Sequence, residues 1–169
     1  MTAPTSKDLG ALCETAGTLY HRLVLVLGPA RSGKTRLLQD AAATNGWPLI
    51  NLNQRVSALL LELTLRQRAL RVPHLVGDVL GSTRADVVLV DNIELLFSPE
   101  LAQDPLRLLQ GLARNRTVVA SWPGVMVANQ LTYAESGHPE YRRYPEFDTL
   151  WLALPGAAAS PDPRAQAQG

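Results

Sequence analysis

Leu23-Val24-Leu25-Val26-Leu27-Gly28-Pro29-Ala30-Arg31-Ser32-Gly33-Lys34-Thr35 is the stretch whose reading decides the fold. A short apolar run that stops at a glycine predicts a parallel strand buried on both faces. Gly28 to Thr35 then match G-x-x-x-x-G-K-[ST]. Lys34 to about Asn45 has helical periodicity, and Gly46 is placed to stop it. Strand, glycine-bounded loop and helix in that order form a phosphate-binding loop. Successive backbone N–H groups make an anion nest, and the helix adds its positive end. Gly28 and Gly33 let the backbone turn and approach phosphate without a Cβ in the way. Lys34 brings a mobile positive charge, and the Thr35 hydroxyl suits Mg²⁺, a hard cation that prefers oxygen. Pro29 has no N–H, so the nest falls to Ser32, Gly33, Lys34 and Thr35. Gly28, Ser32, Gly33, Lys34, Thr35 and Arg36 are therefore the candidate nucleotide-binding residues.

Working outward, strands and helices alternate. A helix is expected over 6–20, where Leu9, Leu12, Cys13, Ala16, Leu19 and Tyr20 share one face. Pro48 to Leu52 reads as a second strand and Gln54 to Leu65 as a Leu-rich helix. A basic stretch from Arg66 to Arg71 leads to Pro73, which can open another helix through Leu80. Asp86 to Val90 reads as a third strand. Asp104-Pro105 has the chemistry of a helix N-cap followed by proline at the first helical position. Thr117 to Trp122 is a fourth strand. Val125 to Val127 and Leu131 to Tyr133 can pair as a hairpin, the segment around Gly137-His138-Pro139 reads as loop, and Phe147 to Leu154 closes the series. Residues 155–169 carry Ala, Pro, Ser and Gln without periodicity, so a disordered tail is expected after a single domain over 1–154. The fold class is α/β, a P-loop NTPase with a five-stranded, mostly parallel sheet flanked by helices. Ligands on such sheets sit at the carboxyl ends of the strands.

Asp91 ends the apolar run Val87-Val88-Leu89-Val90. Beside a P-loop, an aspartate at that strand end holds the Mg²⁺ shell, so Thr35 and Asp91 are the expected metal ligands. Asp91-Asn92-Ile93-Glu94 also fits a helix capping box. In many ATPases a glutamate directly follows this aspartate and orients the attacking water; here that position is Asn92, which is no base. Glu94 is the nearest carboxylate, either a catalytic base or the far end of the capping box. Ser121 ends the fourth strand as either a phosphate-sensing polar group or an ordinary buried serine. Lys34 and Glu94 are joined as candidate catalytic residues by Arg114, Arg116, Arg142 and Arg143. A guanidinium supplied by a neighbouring subunit stabilises charge on a transferring phosphoryl group; the alternative is a solvated surface arginine. Arg66, Arg68 and Arg71 form a small basic patch that a DNA backbone can meet, without the interleaved aromatics that would strengthen that reading.

The bulk composition of the 169 residues sets limits. Hydrophobic residues make up 46% and charged residues 18%, which fits a globular core, and a net charge of +1 exerts no general pull on nucleic acid or anionic membrane. Cys13 is the only cysteine, so no internal disulfide can form. The N-terminal MTAPTSKDLG lacks the basic and apolar regions of a signal peptide, and no apolar run nears the roughly 20 residues that span a bilayer. A cytoplasmic location without membrane contact is expected. No N-K-x-D motif for reading guanine is present, which favours ATP over GTP.

Beyond the general motif, the sequence resembles a specific family. Gly28 to Thr35, Ile50-Asn51-Leu52-Asn53 and Val90-Asp91-Asn92-Ile93-Glu94-Leu95-Leu96-Phe97 carry the resemblance. So do Asp104 to Leu112 with Arg114-Asn115-Arg116-Thr117, Leu131-Thr132-Tyr133-Ala134-Glu135, and Gly137 to Pro145. Together these blocks, across roughly residues 8 to 154, resemble the BrxF family, the small P-loop proteins of type 3 BREX phage-defence systems. The resemblance implies a bacterial cytoplasmic protein that binds ATP and Mg²⁺ through Gly33, Lys34, Thr35 and Asp91 and works beside other BREX proteins. Asn92 fits the family's own pattern. The strand count also resembles the core of an AAA+ ATPase, without the helical lid and its arginine after the last strand. Two functions follow as expectations. One is an Mg²⁺-dependent ATPase acting as a homo-oligomer, with slow hydrolysis because Asn92 stands where the glutamate is usual. The other is a nucleotide-dependent binding module that hydrolyses little and docks to a larger defence component. A small-molecule kinase fits the size but lacks an Arg-rich lid.

Overall fold

A computed structural model describes residues 3–133, 142–145 and 148–155. The helices are α1 (Ser6–Ala16), α2 (Lys34–Asn45), α3 (Leu52–Leu60), α4 (Leu65–Leu80) and α5 (Pro105–Leu112). The strands are β1 (Leu23–Leu27), β2 (Leu49–Asn51), β3 (Val87–Asp91), β4 (Thr117–Trp122), β5 (Met126–Val127), β6 (Gln130–Tyr133), β7 (Arg142–Tyr144) and β8 (Leu150–Ala153). Five of them form one sheet in the order β2-β3-β4-β1-β8, and every pairing in it is parallel. This is the expected α/β P-loop fold. β4, the strand carrying Ser121, lies between the strands of the P-loop and of Asp91.

The unbroken apolar runs follow from burial on two faces. Leu23, Leu25 and Leu27 point into one core with Val88, Val90, Val118 and Ala120, covered by α3, α4 and α5. Val24 and Val26 point into the other with Leu89 and Val119, covered by α1 and α2. Alternate residues of each strand thus serve opposite layers. Truncating a fully buried leucine such as Leu25 to alanine is expected to cost about 2–5 kcal/mol.

Some boundaries depart from the sequence expectation. The α1 helix ends at Ala16 rather than Tyr20. Arg66 to Arg71 do not precede a helix opened by Pro73. They lie inside α4, which starts earlier because Thr64 and Gln67 form a reciprocal capping box. Pro73 sits within this helix and has no N–H to give the Ala69 carbonyl. Gln103 supplies the missing donor, its Nε2 reaching Ala69 O at 2.9 Å. The Asp104 N-cap forms as read, accepting from the Arg107 N–H at 3.2 Å.

The hairpin of β5 and β6 exists and is extended by β7, which the sequence did not suggest, into a three-stranded antiparallel sheet. It leaves the carboxyl end of β4 and is fixed by aromatic packing. Phe97 stacks on Tyr133 at 3.4 Å between ring centroids, and Trp122 meets Tyr144 edge-on at 5.7 Å. Trp122 Nε1 donates to the Thr132 carbonyl at 2.9 Å, so the ring's polar edge is satisfied within the core. Burial, and then the Asp104 carboxylate, push the Tyr144 phenol up to about 12. The last strand begins at Leu150 rather than Phe147; Phe147, the loop at residues 137–139 and all but Pro155 of the tail expected over 155–169 lie outside the described residues. Among the described residues no helix is long and apolar enough to cross a membrane.

Candidate functional site

The site forms where β1, β3 and β4 end. The chain leaves β1 through the buried Gly28 and turns by two left-handed residues, Arg31 at φ 63° and Gly33 at φ 101°. Gly33 is the N-cap of α2 and offers no side chain to it. The Leu37 N–H is the first to find an intrahelical acceptor, the Gly33 carbonyl at 3.0 Å. The amides of Lys34, Thr35 and Arg36 come before it and are available to an anion. A Cβ on Gly28 would collide with the Ser32 hydroxyl. That hydroxyl is buried and has no hydrogen-bond partner among the described residues.

Lys34 Nζ donates to the carbonyls of Gly28 and Pro29, each at 2.7 Å. Burial lowers its pKa, and the carboxylates of Glu94 and Asp91 oppose that shift. Removing an ammonium from water in this way makes it a stronger partner for an incoming anion.

Asp91 is buried, 6% exposed, and fully engaged. Its Oδ2 accepts from the Thr35 hydroxyl at 2.6 Å. Its Oδ1 accepts from the Ser121 hydroxyl at 2.6 Å and from the Asn92 N–H at 3.0 Å. Thr35 and Ser121, 56 and 30 residues away in sequence, therefore meet on one carboxylate. Thr35 and Asp91 present adjacent hard oxygens, a donor set suited to Mg²⁺ completed by phosphate and water oxygens. Among the described residues there is no separate cluster of three or more His, Cys, Asp or Glu able to hold a metal. The unpartnered Ser32 hydroxyl, which packs over Gly28, and the Thr35–Asp91 pair both fit a nucleotide with Mg²⁺.

The capping box read across Asp91 and Glu94 does not form. Asn92 takes a left-handed conformation, φ 56°, and the 3₁₀ turn Glu94–Phe97 starts from Ile93 without any side-chain cap. Asparagine tolerates that conformation better than glutamate does. Glu94 is exposed and lines the same cleft of about 510 Å³ as Lys34, Thr35, Arg36, Asp91 and Asn92. The cleft is thus basic along one wall and acidic along the other.

The four candidate arginines divide between the ends of the sheet. Arg114 and Arg116 precede β4 and lie at its amino end, away from their own chain's cleft. Arg114 rests its guanidinium on the Tyr20 ring at 4.5 Å. Arg116 donates from Nη1 to the Leu80 carbonyl at 2.8 Å, closing the end of α4. Arg142 and Arg143 lie on β7, in the small sheet that leaves the carboxyl end of β4. Arg142 stands 5.9 Å from the centre of the Phe97 ring, while Arg143 is exposed. Sequence reading missed Asn53, whose backbone N–H donates to the Asn92 carbonyl at 3.0 Å and ties α3 to the acidic loop. No local pattern signals that contact.

No protein-family model matches the chain, and no curated protein is similar to it in sequence. Among solved structures it is similar to a replication initiator DnaA bound to AMPPCP and single-stranded DNA, with a TM-score of 0.48 and 14% identity over 90% of this chain and 47% of that one. It is also similar to PCH-2 of C. elegans, with a TM-score of 0.42 and 15% identity over 90% of this chain and 42% of that one. The chain thus spans less than half the length of either.

Proposed function

We propose that this chain binds ATP with Mg²⁺ and hydrolyses it slowly, as one subunit of a homo-oligomer. The observation that carries the reading is the Thr35–Asp91 contact of 2.6 Å in the cleft that Lys34 also lines. It puts a hydroxyl and a carboxylate side by side where a triphosphate would end. The amides of Gly33, Lys34, Thr35 and Arg36 would hold the phosphates; the Ser32 N–H, expected to join them, donates to the Pro29 carbonyl at 3.2 Å. Lys34 would exchange the carbonyls of Gly28 and Pro29 for phosphate oxygens. Thr35 and Asp91 would hold Mg²⁺, which neutralises charge on the triphosphate when bound. Ser121 would keep the Asp91 carboxylate turned toward Thr35. Glu94 is the proposed base: it is free of any cap, lies in the cleft and is close enough to Lys34 to influence its charge.

A neighbouring copy would supply the arginine. Arg143 suits that role best, because its head group has no partner among the described residues, whereas Arg114 and Arg116 are occupied within the chain. The resemblance to the BrxF family, carried most specifically by the blocks around Asp104, Leu131 and Gly137, supports a place in type 3 BREX phage defence in the bacterial cytoplasm beside other BREX proteins.

A second reading, nucleotide-dependent binding with little turnover, is favoured by Asn92 directly after Asp91. Phosphate release measured over a range of protein concentrations tests the first. Activity per subunit is expected to rise as shared sites assemble, and activity independent of concentration contradicts a shared site. Glu94→Gln separates the two readings. As the base it carries a loss of about a hundredfold or more in turnover with ATP affinity unchanged. Unchanged turnover removes Glu94 from the mechanism.

A further inference from the structure

The phosphate loop carries an arginine that its motif does not call for. The Ser32 N–H donates to the Pro29 carbonyl at 3.2 Å and closes a tight turn with Ala30 and Arg31 at its centre. Arg31 takes φ 63° there, at the second central position, where a turn with positive φ favours glycine or asparagine. A side chain in the left-handed region is disfavoured where glycine is at ease. Gly33, two residues on, shows the unstrained choice at φ 101°. Backbone strain of this kind gathers at ligand clamps.

The same turn leaves the loop short of donors. Pro29 has no N–H, and the Ser32 N–H already has its acceptor in the Pro29 carbonyl. The Arg31 guanidinium carries five N–H donors in a planar fork. It is exposed and has no hydrogen bond or ion pair among the described residues. Glu94 lines the same cleft, yet the ion pairs among the described residues are His74 with Asp78 and Arg107 with Asp104. No carboxylate therefore holds this guanidinium, and it is open to an incoming anion.

Two adjoining cavities give the site a direction. Arg31 lines the cleft of about 510 Å³ with Lys34, Thr35, Asp91 and Glu94. A second recess of about 570 Å³, walled by Thr5, Leu37, Asp40, Thr44 and Leu154, meets that cleft at Gly33 and Arg36, which line both. A nucleotide lying across Gly33 and Arg36 would have its terminal phosphate beside Thr35 and Asp91 and its nucleoside toward the second recess. Arg31 lines the first cavity alone, at the terminal-phosphate end.

We infer that Arg31 binds the terminal phosphate of ATP within its own chain, and that this contact raises the site's affinity for a triphosphate relative to a diphosphate. The inference rests on the ATP-binding reading above and adds a specificity residue to it. A guanidinium meets two oxygens of one phosphate at once, whereas Lys34 is a point charge that adjacent phosphates can share. ADP would thus keep Lys34 and the loop amides but leave Arg31 without an anion. Arg36, which lines both cavities, would serve either nucleotide.

The test is isothermal calorimetry of the full chain in magnesium buffer with ADP and with a non-hydrolysable ATP analogue. The proteins are the wild type, Arg31→Gly and Arg31→Gln. Both variants are expected to bind the analogue about tenfold or more weakly, the size of a charge-assisted hydrogen bond lost, and ADP as the wild type does. Thermal midpoints without nucleotide show that they fold; Arg31→Gly should match or exceed the wild type, because glycine accepts φ 63° without strain. Mixing Arg31→Gly with Lys34→Ala chains should not recover tight analogue binding. Recovery would assign Arg31 to a neighbouring copy's site and overturn the inference. Equal losses for both nucleotides, or no loss for either, would overturn it while leaving the ATP-binding reading in place. A folded wild-type chain that binds neither nucleotide would overturn that reading and this inference with it.

Discussion

The loops that follow β1 and β3 leave the same end of one sheet and do opposite electrostatic work. Each turns by left-handed residues, Arg31 and Gly33 in the first and Asn92 in the second. The first gathers donors: the opening amides of α2 and the Lys34 ammonium. The second gathers acceptors: Asp91, held by three donors, and Glu94 beside it. The donor loop is organised largely by its own neighbours, since Lys34 is held by Gly28 and Pro29. The acceptor loop is organised from far along the chain, by Thr35, Ser121 and Asn53. A polyanion needs the first loop alone, whereas a polyanion with its cation needs both. The lesson is that binding and metal-dependent chemistry can be separated by substitution.

The largest effect expected of that separation is on the donor side. Lys34→Ala removes the one ammonium that lines the cleft among the described residues. It should abolish ATP turnover and lower ATP affinity by about tenfold to a hundredfold, the size of a charge-assisted hydrogen bond lost. Thermal stability should hardly change, because Lys34 was desolvated at some cost. Near-normal turnover would break the comparison at its stronger half.

A smaller and more selective effect belongs to Asp91→Asn. The Thr35 and Ser121 hydroxyls keep a polar neighbour, but the charge that would hold the metal is gone. ATP affinity in magnesium buffer should fall to the value found with EDTA, while affinity in EDTA is unchanged. Titrations of both proteins with and without EDTA check this, and a variant that still responds to Mg²⁺ would remove Asp91 from the metal site.

Smallest of all is Arg116→Ala, at the other end of the sheet. It loses the bond to the Leu80 carbonyl, and about 1 kcal/mol of stability is expected to go with it. Denaturant unfolding reads that cost. ATP affinity should be untouched, because Arg116 lies far from its own chain's cleft. A loss of turnover that is relieved by mixing with wild-type subunits would instead give Arg116 a role across an interface.

The same contrast explains how much was legible in the sequence. Gly28 to Thr35 could be read because each residue acts through its own backbone or its near neighbours. The two-sided burial of β1, β3 and β4 could be read because alternate residues of an unbroken apolar run must fill two layers. The N-cap at Asp104 was equally local. The acidic loop was ambiguous, because Asp91-Asn92-Ile93-Glu94 satisfies the pattern of a capping box and only the left-handed turn at Asn92 prevents one. Pro73 read as a helix opening because its missing N–H is costly in a helix interior. Gln103, 34 residues from Ala69, makes that position tolerable by donating to the Ala69 carbonyl. The third strand of the small sheet was hidden for a similar reason: Arg142-Arg143-Tyr144 has no apolar alternation of its own and pairs only because β6 is there to receive it.

The central claim is that the two loops act together on one ligand, a triphosphate with its magnesium ion. Isothermal calorimetry of the intact chain with ATP, in magnesium buffer and then in EDTA, tests it most directly. Saturable binding to one site per chain that weakens when the metal is removed is the predicted result. No heat of association with ATP, ADP or GTP in magnesium buffer from a folded sample would contradict it.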